Sequence, residues 1–193
     1  MRALLGLSVL IAVGLVGCGS SPPAAPSVKP VKQVQAAAPT GPSCNTDQLS
    51  ARLGPRTELG HGQGSLPLIV TNTSRQSCAL RGAPAVVLRG PADPNGPEYA
   101  LFHPIDTGRG LELAPGTSGV ARLVVQSDID GTVGSHGSNN WIPTRLEAVP
   151  PGHGMKTALS VPWPTGVTVL RQDGASPPDS WIEGFKADPA VTS

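Results

Sequence analysis

The chain has 193 residues, of which 24 are glycine and 22 proline, close to a quarter of the whole. Charged residues make up 14 %, aromatics 3 %, and the formal net charge is +1. This excludes a coiled coil, which needs charged helix formers, and a basic nucleic-acid binder. It also excludes a bundle of long helices. Beyond Cys44 only Leu68–Arg81 and Val120–Asp130 run for more than ten residues without Gly or Pro, and an average helix takes about 11–12.

Arg2 is followed by fifteen uncharged residues, Ala3–Gly17. A positive start and an apolar run of that length read as a signal peptide. A membrane-spanning helix takes about 20 apolar residues, and no later stretch supplies them. The run ends in Leu15-Val16-Gly17-Cys18, which resembles a bacterial lipobox. The resemblance implies transfer of diacylglycerol to Cys18, cleavage before it and acylation of the new amine. Residues 1–17 are then a lipoprotein signal peptide, and acyl chains on Cys18 hold the protein at the extracytoplasmic face of the cell membrane. Several chains exceed the two signals that stable attachment needs. The alternative is a plain secretory signal with an incidental cysteine. Removal of Arg2 leaves 13 basic and 13 acidic side chains. Such a surface generates no strong long-range field, so nucleic acid is not an expected partner.

Residues 18–43 begin with Cys18 and continue as a Pro/Ala-rich tether without a core-forming pattern. In polyproline II its 25 residues after Cys18 would reach roughly 80 Å. Residues 44–193 have the size of a single domain, with 171–193 its least defined part. Apolar residues there fall in short runs divided by turn residues: Gln48–Leu53, Leu66–Val70, Cys78–Leu80, Ala85–Leu88, Tyr99–His103, Leu111–Leu113, Val120–Gln126, Trp141–Val149, Thr157–Trp163 and Val167–Leu170. Runs of this length and spacing predict an all-β antiparallel sandwich, with prolines at strand ends, edges and bulges. Gln48–Leu53 is ambiguous: Asn45 or Thr46 could cap a helix there, stopped by Gly54-Pro55.

With Cys18 assigned to lipid, Cys44 and Cys78 remain as an even pair in an exported chain. A disulfide between them is expected, with two free thiols or a thiol site as the alternative. No C-x-x-C spacing supports redox catalysis.

The segment Leu66–Val86 carries Thr71-Asn72-Thr73-Ser74 and then Cys78-Ala79-Leu80-Arg81-Gly82-Ala83-Pro84, with Cys44 upstream and Leu113-Ala114-Pro115-Gly116 downstream. It is similar to the actinobacterial domain of unknown function 4232, over about Cys44 to Leu170. The resemblance implies an immunoglobulin-like β-sandwich outside the cytoplasm, in chains that are often exported or lipid-anchored. It brings no catalytic residues. Two features depart from it: Ala83 stands where an aromatic is common, and a second cysteine pair is missing. Physically, Asn72 and Ser74 suit an Asx or ST turn, and Gly82 a positive φ. Asn72-Thr73-Ser74 also fits a glycosylation acceptor, a minor reading in a bacterial chain.

Four histidines are candidates for chemistry. His61, His136 and His153 lie among glycines; His103 ends an apolar run. Folding could gather them as imidazole ligands beside Asp106, Asp128 or Asp130, but no H-x-x-x-H or H-E-x-x-H spacing exists. Asp128-Ile129-Asp130-Gly131 resembles the start of a calcium loop, yet Asn139 occupies the place of the closing Glu. Gly60-x-Gly62-x-Gly64 precedes no helix, and there is no G-x-S-x-G. No metal site, cofactor or catalytic residue is assigned. Trp141 is expected in the core against the disulfide and Trp163 partly exposed. Trp181, Ile182 and Phe185 are expected to dock as a terminal strand or helical turn, or else to form a partner patch. The function that follows is a lipid-anchored envelope lipoprotein with a non-catalytic binding domain, its partner an envelope protein or wall polymer. The second reading is an envelope metal-binding protein or hydrolase that uses the loop histidines.

Overall fold

The computed structural model describes residues 38–103, 110–127, 131–151 and 157–188. The expected signal peptide, Cys18 and the tether up to residue 37 lie outside the described residues, as do Asp106, Asp128, Asp130 and His153.

Asn45 opens a single 3-10 turn, Thr46–Gln48, its N–H donating to Gln48 Oε1 at 2.9 Å. The chain then extends into β1 (Leu49–Leu53) instead of continuing as a helix. There follow β2 (Thr57–Gly60), β3 (Gln63–Asn72), β4 (Cys78–Leu80), β5 (Ala85–Asp93), β6 (Gly96–Ala100), β7 (Leu111–Leu113), β8 (Ser118–Gln126), β9 (Arg145–Val149), β10 (Leu159–Pro162), β11 (Trp181–Ile182) and β12 (Lys186–Ala187). One sheet runs β1-β3-β8-β11, with β2 also on β3 and β12 also on β8; the other runs β10-β9-β5-β6, and β4 pairs with β7. The strand pairs are antiparallel. The period-2 pattern is the cause. Leu66, Leu68 and Val70 of β3 and Ala121, Leu123 and Val125 of β8 meet Val86, Leu88, Leu146 and Ala148 of the second sheet in one core. Each buried leucine contributes about 1.5–3 kcal/mol.

Pro67 departs from the expected placing of prolines: it sits in the middle of β3, a central strand. The edge beside it explains this. Residues of a β-strand point N–H and C=O to the same side, and on that side β1 has ended at Leu53 while β2 has not begun. The missing donor faces this break, and Gly54 N–H uses the Pro67 carbonyl at 2.8 Å. A Cβ on Gly54 would lie 2.5 Å from the proline ring, so only glycine allows the approach.

Val167–Leu170 is not a strand. Val169 N–H donates to Trp141 O (2.9 Å) and Leu170 N–H to Gln126 O (2.7 Å). Consecutive donors serve different segments, so no ladder forms. Trp163, expected partly exposed, is buried, its Nε1–H turned back to Val167 O at 2.9 Å. The C-terminal segment docks through β11 and β12 on β8, burying Ile182 and Phe185.

Cys44 and Cys78 form a disulfide across 34 residues of sequence. Ordered contacts begin before it. Ala79 N–H donates to Pro42 O (2.8 Å), Cys44 N–H to Ala79 O (3.1 Å), and the Arg81 guanidinium grips the Pro39 and Gly41 carbonyls. The last part of the tether is thus strapped along β4. Gly82 has the expected positive φ, 99°. Replacing Cys44 and Cys78 together by alanine should lower the unfolding free energy by roughly 4 kcal/mol in urea denaturation, the loop-closure value for this span.

Candidate functional site

The strand registers define two poles. At one, Leu49 pairs with Asn72 and Thr71 with Ser118; at the other, Gln63 pairs with Gln126. The disulfide and the strapped entry of the chain belong to the first pole. Asn72 closes it. Its Oδ1 accepts from Ser74 N–H and Oγ–H (3.0 and 2.8 Å), and its Nδ2 donates to Gln76 O and Leu113 O (2.7 and 3.0 Å). The Thr-Asn-x-Ser motif is therefore an Asx turn, and its fully buried, fully bonded amide is not offered to a glycan.

The second pole is built around Arg171, which is 1 % exposed. Its Nε–H and Nη2–H meet the Asp173 carboxylate (2.9 and 2.7 Å), and Nη1–H meets Asp93 Oδ1 (3.0 Å) and Gly96 O (2.8 Å). Nη2–H also reaches Glu98 O (2.6 Å) and Asn95 O (3.3 Å). The guanidinium carbon lies 4.8 Å from the Trp141 ring centre and 5.4 Å from that of Tyr99, and the two rings meet edge to face. The group facing Trp141 is thus a cation, where the sandwich resemblance had suggested a disulfide. Desolvated cation–π contacts are worth about 2 kcal/mol. Around this centre Ser138 Oγ–H donates to Asp93, and Asn95 Nδ2–H to Ser135 O (2.7 Å). Ser135 N–H donates to Arg171 O (2.8 Å), so the β5–β6 hairpin, the 131–141 loop and the segment after Leu170 are tied into one body.

Burial raises the pKa of the Asp93 carboxyl. The hydrogen bonds from Ser138 and Asn95 and the Arg171 charge outweigh it and hold the group below its ordinary value of 3.8. Burial pushes the Tyr99 phenol up, against the lowering influence of the Gln172 backbone and the Ser180 hydroxyl.

Beside the arginine centre lies a cleft of about 610 Å³, lined by His61, Gln63, Gln126, Val133, Gln172 and Asp179 among others. A small-molecule site occupies roughly 300–1,000 Å³. The β2–β3 turn forms one wall: His61 (φ 52°) and Gly62 (φ 78°) are both left-handed, the turn that matches the twist of a tight hairpin. The end of β8 supplies Gln126, only 6 % exposed. A second cleft of about 340 Å³, lined by Tyr99, Phe102, Gln172 and Pro178 among others, meets the first at Gln172.

Among the described residues the candidate histidines stand in separate settings. His61 tips its hairpin, His103 stacks on Phe102 at 6.5 Å, and His136 bonds through Nδ1 to Asn95 Oδ1. Among the described residues no group of three or more His, Cys, Asp or Glu could hold a metal ion. Arg171 and the glutamines escaped sequence reasoning.

A two-sheet antiparallel sandwich with one disulfide and a polar cleft at the pole remote from the chain's entry is the class that fold and site define. The chain belongs to the family of the domain of unknown function DUF4232, which matches residues 44–181. No curated protein and no solved structure matches it significantly.

Arg171→Leu leaves two carboxylates facing the interior without a counter-ion, and should cost about 3–5 kcal/mol in urea denaturation. The lowered pKa of Asp93 gives the pH dependence its sign. A carboxyl held down by folding stabilises fully above its unfolded value, and the contribution is lost as pH falls through the folded value. The midpoint in urea should therefore be flat near neutrality and drop below about pH 4. Asp93→Asn should be less stable at pH 7 and lose less between pH 4 and 2.

Proposed function

We propose that the protein is a lipoprotein of the actinobacterial envelope, anchored through acyl chains on Cys18 at the extracytoplasmic face of the membrane. Its sandwich is a non-catalytic binding module for an envelope protein or wall polymer. The observation that carries the binding role is the position of the polar cleft. It opens at the pole opposite the strap that receives the tether. A body held at one end presents the other to its surroundings. Leu15-Val16-Gly17-Cys18 behind a charged start and an apolar run supports the anchor. The Cys44–Cys78 bond supports an oxidising compartment. Arg89 pairs with Glu98 and Glu147, and Arg122 with Glu183, which favours a partner other than nucleic acid.

The test is lipidation itself. Cells grown with a clickable fatty acid should label the protein, and Cys18→Ala should abolish the label and move the protein out of the membrane fraction. Retention of Cys18→Ala wholly with membranes would defeat the anchor.

A further inference from the structure

We infer that the cleft between the β2–β3 turn and Asp179 binds a neutral, hydroxyl-rich ligand, a segment of glycan. This deepens the reading of the chain as an envelope binding module and rests on it.

The direction of the hydrogen bonds in the cleft is the basis. Gln126 Nε2 gives its hydrogens to His61 O and Ser127 O (3.1 and 3.0 Å). Gln63 Nε2–H donates to Asp179 O (3.2 Å), and Gln172 Nε2–H to Asp179 Oδ2 (2.7 Å). Gln172 Oε1 accepts Asp179 N–H (2.7 Å). The amide donors are thus engaged in holding the walls. The carbonyl oxygens of Gln63 and Gln126 and the second carboxylate oxygen of Asp179 carry no protein hydrogen bond among the described residues. The hydrogen bonds around Asp179 lie at the exposed surface, so these oxygens face solvent, and a ligand that supplies donors takes the place of water on them.

The walls narrow the chemistry. Among the described residues no lysine or arginine lines the cleft, and oxygen acceptors repel phosphate, sulfate and carboxylate. Among the described lining residues the one carboxylate is that of Asp179, half tied to Gln172, a weak cage for a cation. Hydroxyl groups meet the acceptors without a charge to neutralise. A sugar ring also has an apolar C–H face. Val133, 68 % exposed, flanks the acceptors in the first cleft, and Phe102, 43 % exposed, offers a ring in the second. The two clefts share Gln172, so the surface suits several linked sugars better than one.

The experiment is NMR titration of the full lipidated chain in detergent micelles, labelled with 15N. The probes are tetrasaccharides of N-acetylglucosamine, of glucose and of mannose, with tetra-alanine, inorganic phosphate and spermidine as counter-probes. At least one tetrasaccharide should shift the side-chain amide signals of Gln63, Gln126 and Gln172 saturably. Gln63→Ala and Asp179→Asn should each weaken that binding about five-fold, the equivalent of one hydrogen bond, while Arg89→Ala on the far sheet face leaves it unchanged. Failure of all three sugars to shift these signals at about 10 mM, ten-fold above a millimolar dissociation constant, overturns the proposal. So does the same set of shifts produced by tetra-alanine, phosphate or spermidine alone. Either result leaves the Cys18 labelling experiment untouched, so the loss of the ligand and the loss of the anchor are told apart.

Discussion

One dehydrated guanidinium dictates how the pole remote from the chain's entry is built. Arg171 has five N–H donors in a rigid plane and almost no access to water. Removing such a cation from solvent costs several kcal/mol, and only good partners offset it. The fold supplies them on every side: two carboxylates, three backbone carbonyls and two aromatic faces. The partners come from the β5–β6 hairpin, from Trp141 and from Asp173, so meeting the needs of one side chain fixes that hairpin and the loops around it. The constraint is geometric as much as energetic. Lysine would present a point charge and could not satisfy the same planar set.

The two poles are therefore held by different chemistry. At the entry pole a covalent bond, an Asx turn and a strap of backbone hydrogen bonds close the sandwich. Between the poles the work is ordinary apolar packing, Leu66 and Leu68 against Leu88 and Leu146. At the far pole the loops are long and low in apolar side chains, and a polar network takes the place of a core. This division lets the far pole vary its surface without disturbing the sheets, the usual relation between a rigid scaffold and functional loops.

The sheets were legible in the sequence because their cause is local. Leu66, Leu68 and Val70 alternate, Val120–Gln126 is rich in β-branched residues, and Pro115-Gly116 and Gly54-Pro55 mark turns. The cysteine pair and the Asn72 turn were legible for the same reason, since few residues can do what they do. β2 was missed because Thr57–Gly60 is exposed throughout and shows no apolar alternation. Pro67 was misplaced because its tolerance depends on a break in a neighbouring strand, which no window around Pro67 contains. Trp163 was read as partly exposed from its flanking prolines, but those prolines shape the turn that folds its ring inward. Arg171 is the extreme case. Asp93 lies 78 residues away, and three further partners are carbonyls, which every residue has. Nothing in residue type announces them.

The same logic explains why the cleft carries no motif. Glutamine has a donor end and an acceptor end, and here the fold assigns them opposite tasks. The amide N–H groups of Gln63, Gln126 and Gln172 close the walls against His61, Ser127 and Asp179, and Gln172 Oε1 is taken by Asp179 N–H, which leaves the carbonyl oxygens of Gln63 and Gln126 facing the cleft. On the glycan proposal, recognition and wall-building are carried by the same side chains. Such a cleft selects by the direction of hydrogen bonds, not by charge, and its selectivity does not decay with ionic strength as that of a charged surface does. On the glycan proposal, a domain whose side chains are close to electrically balanced gains specificity in this way without a field that would draw in every polyanion around it.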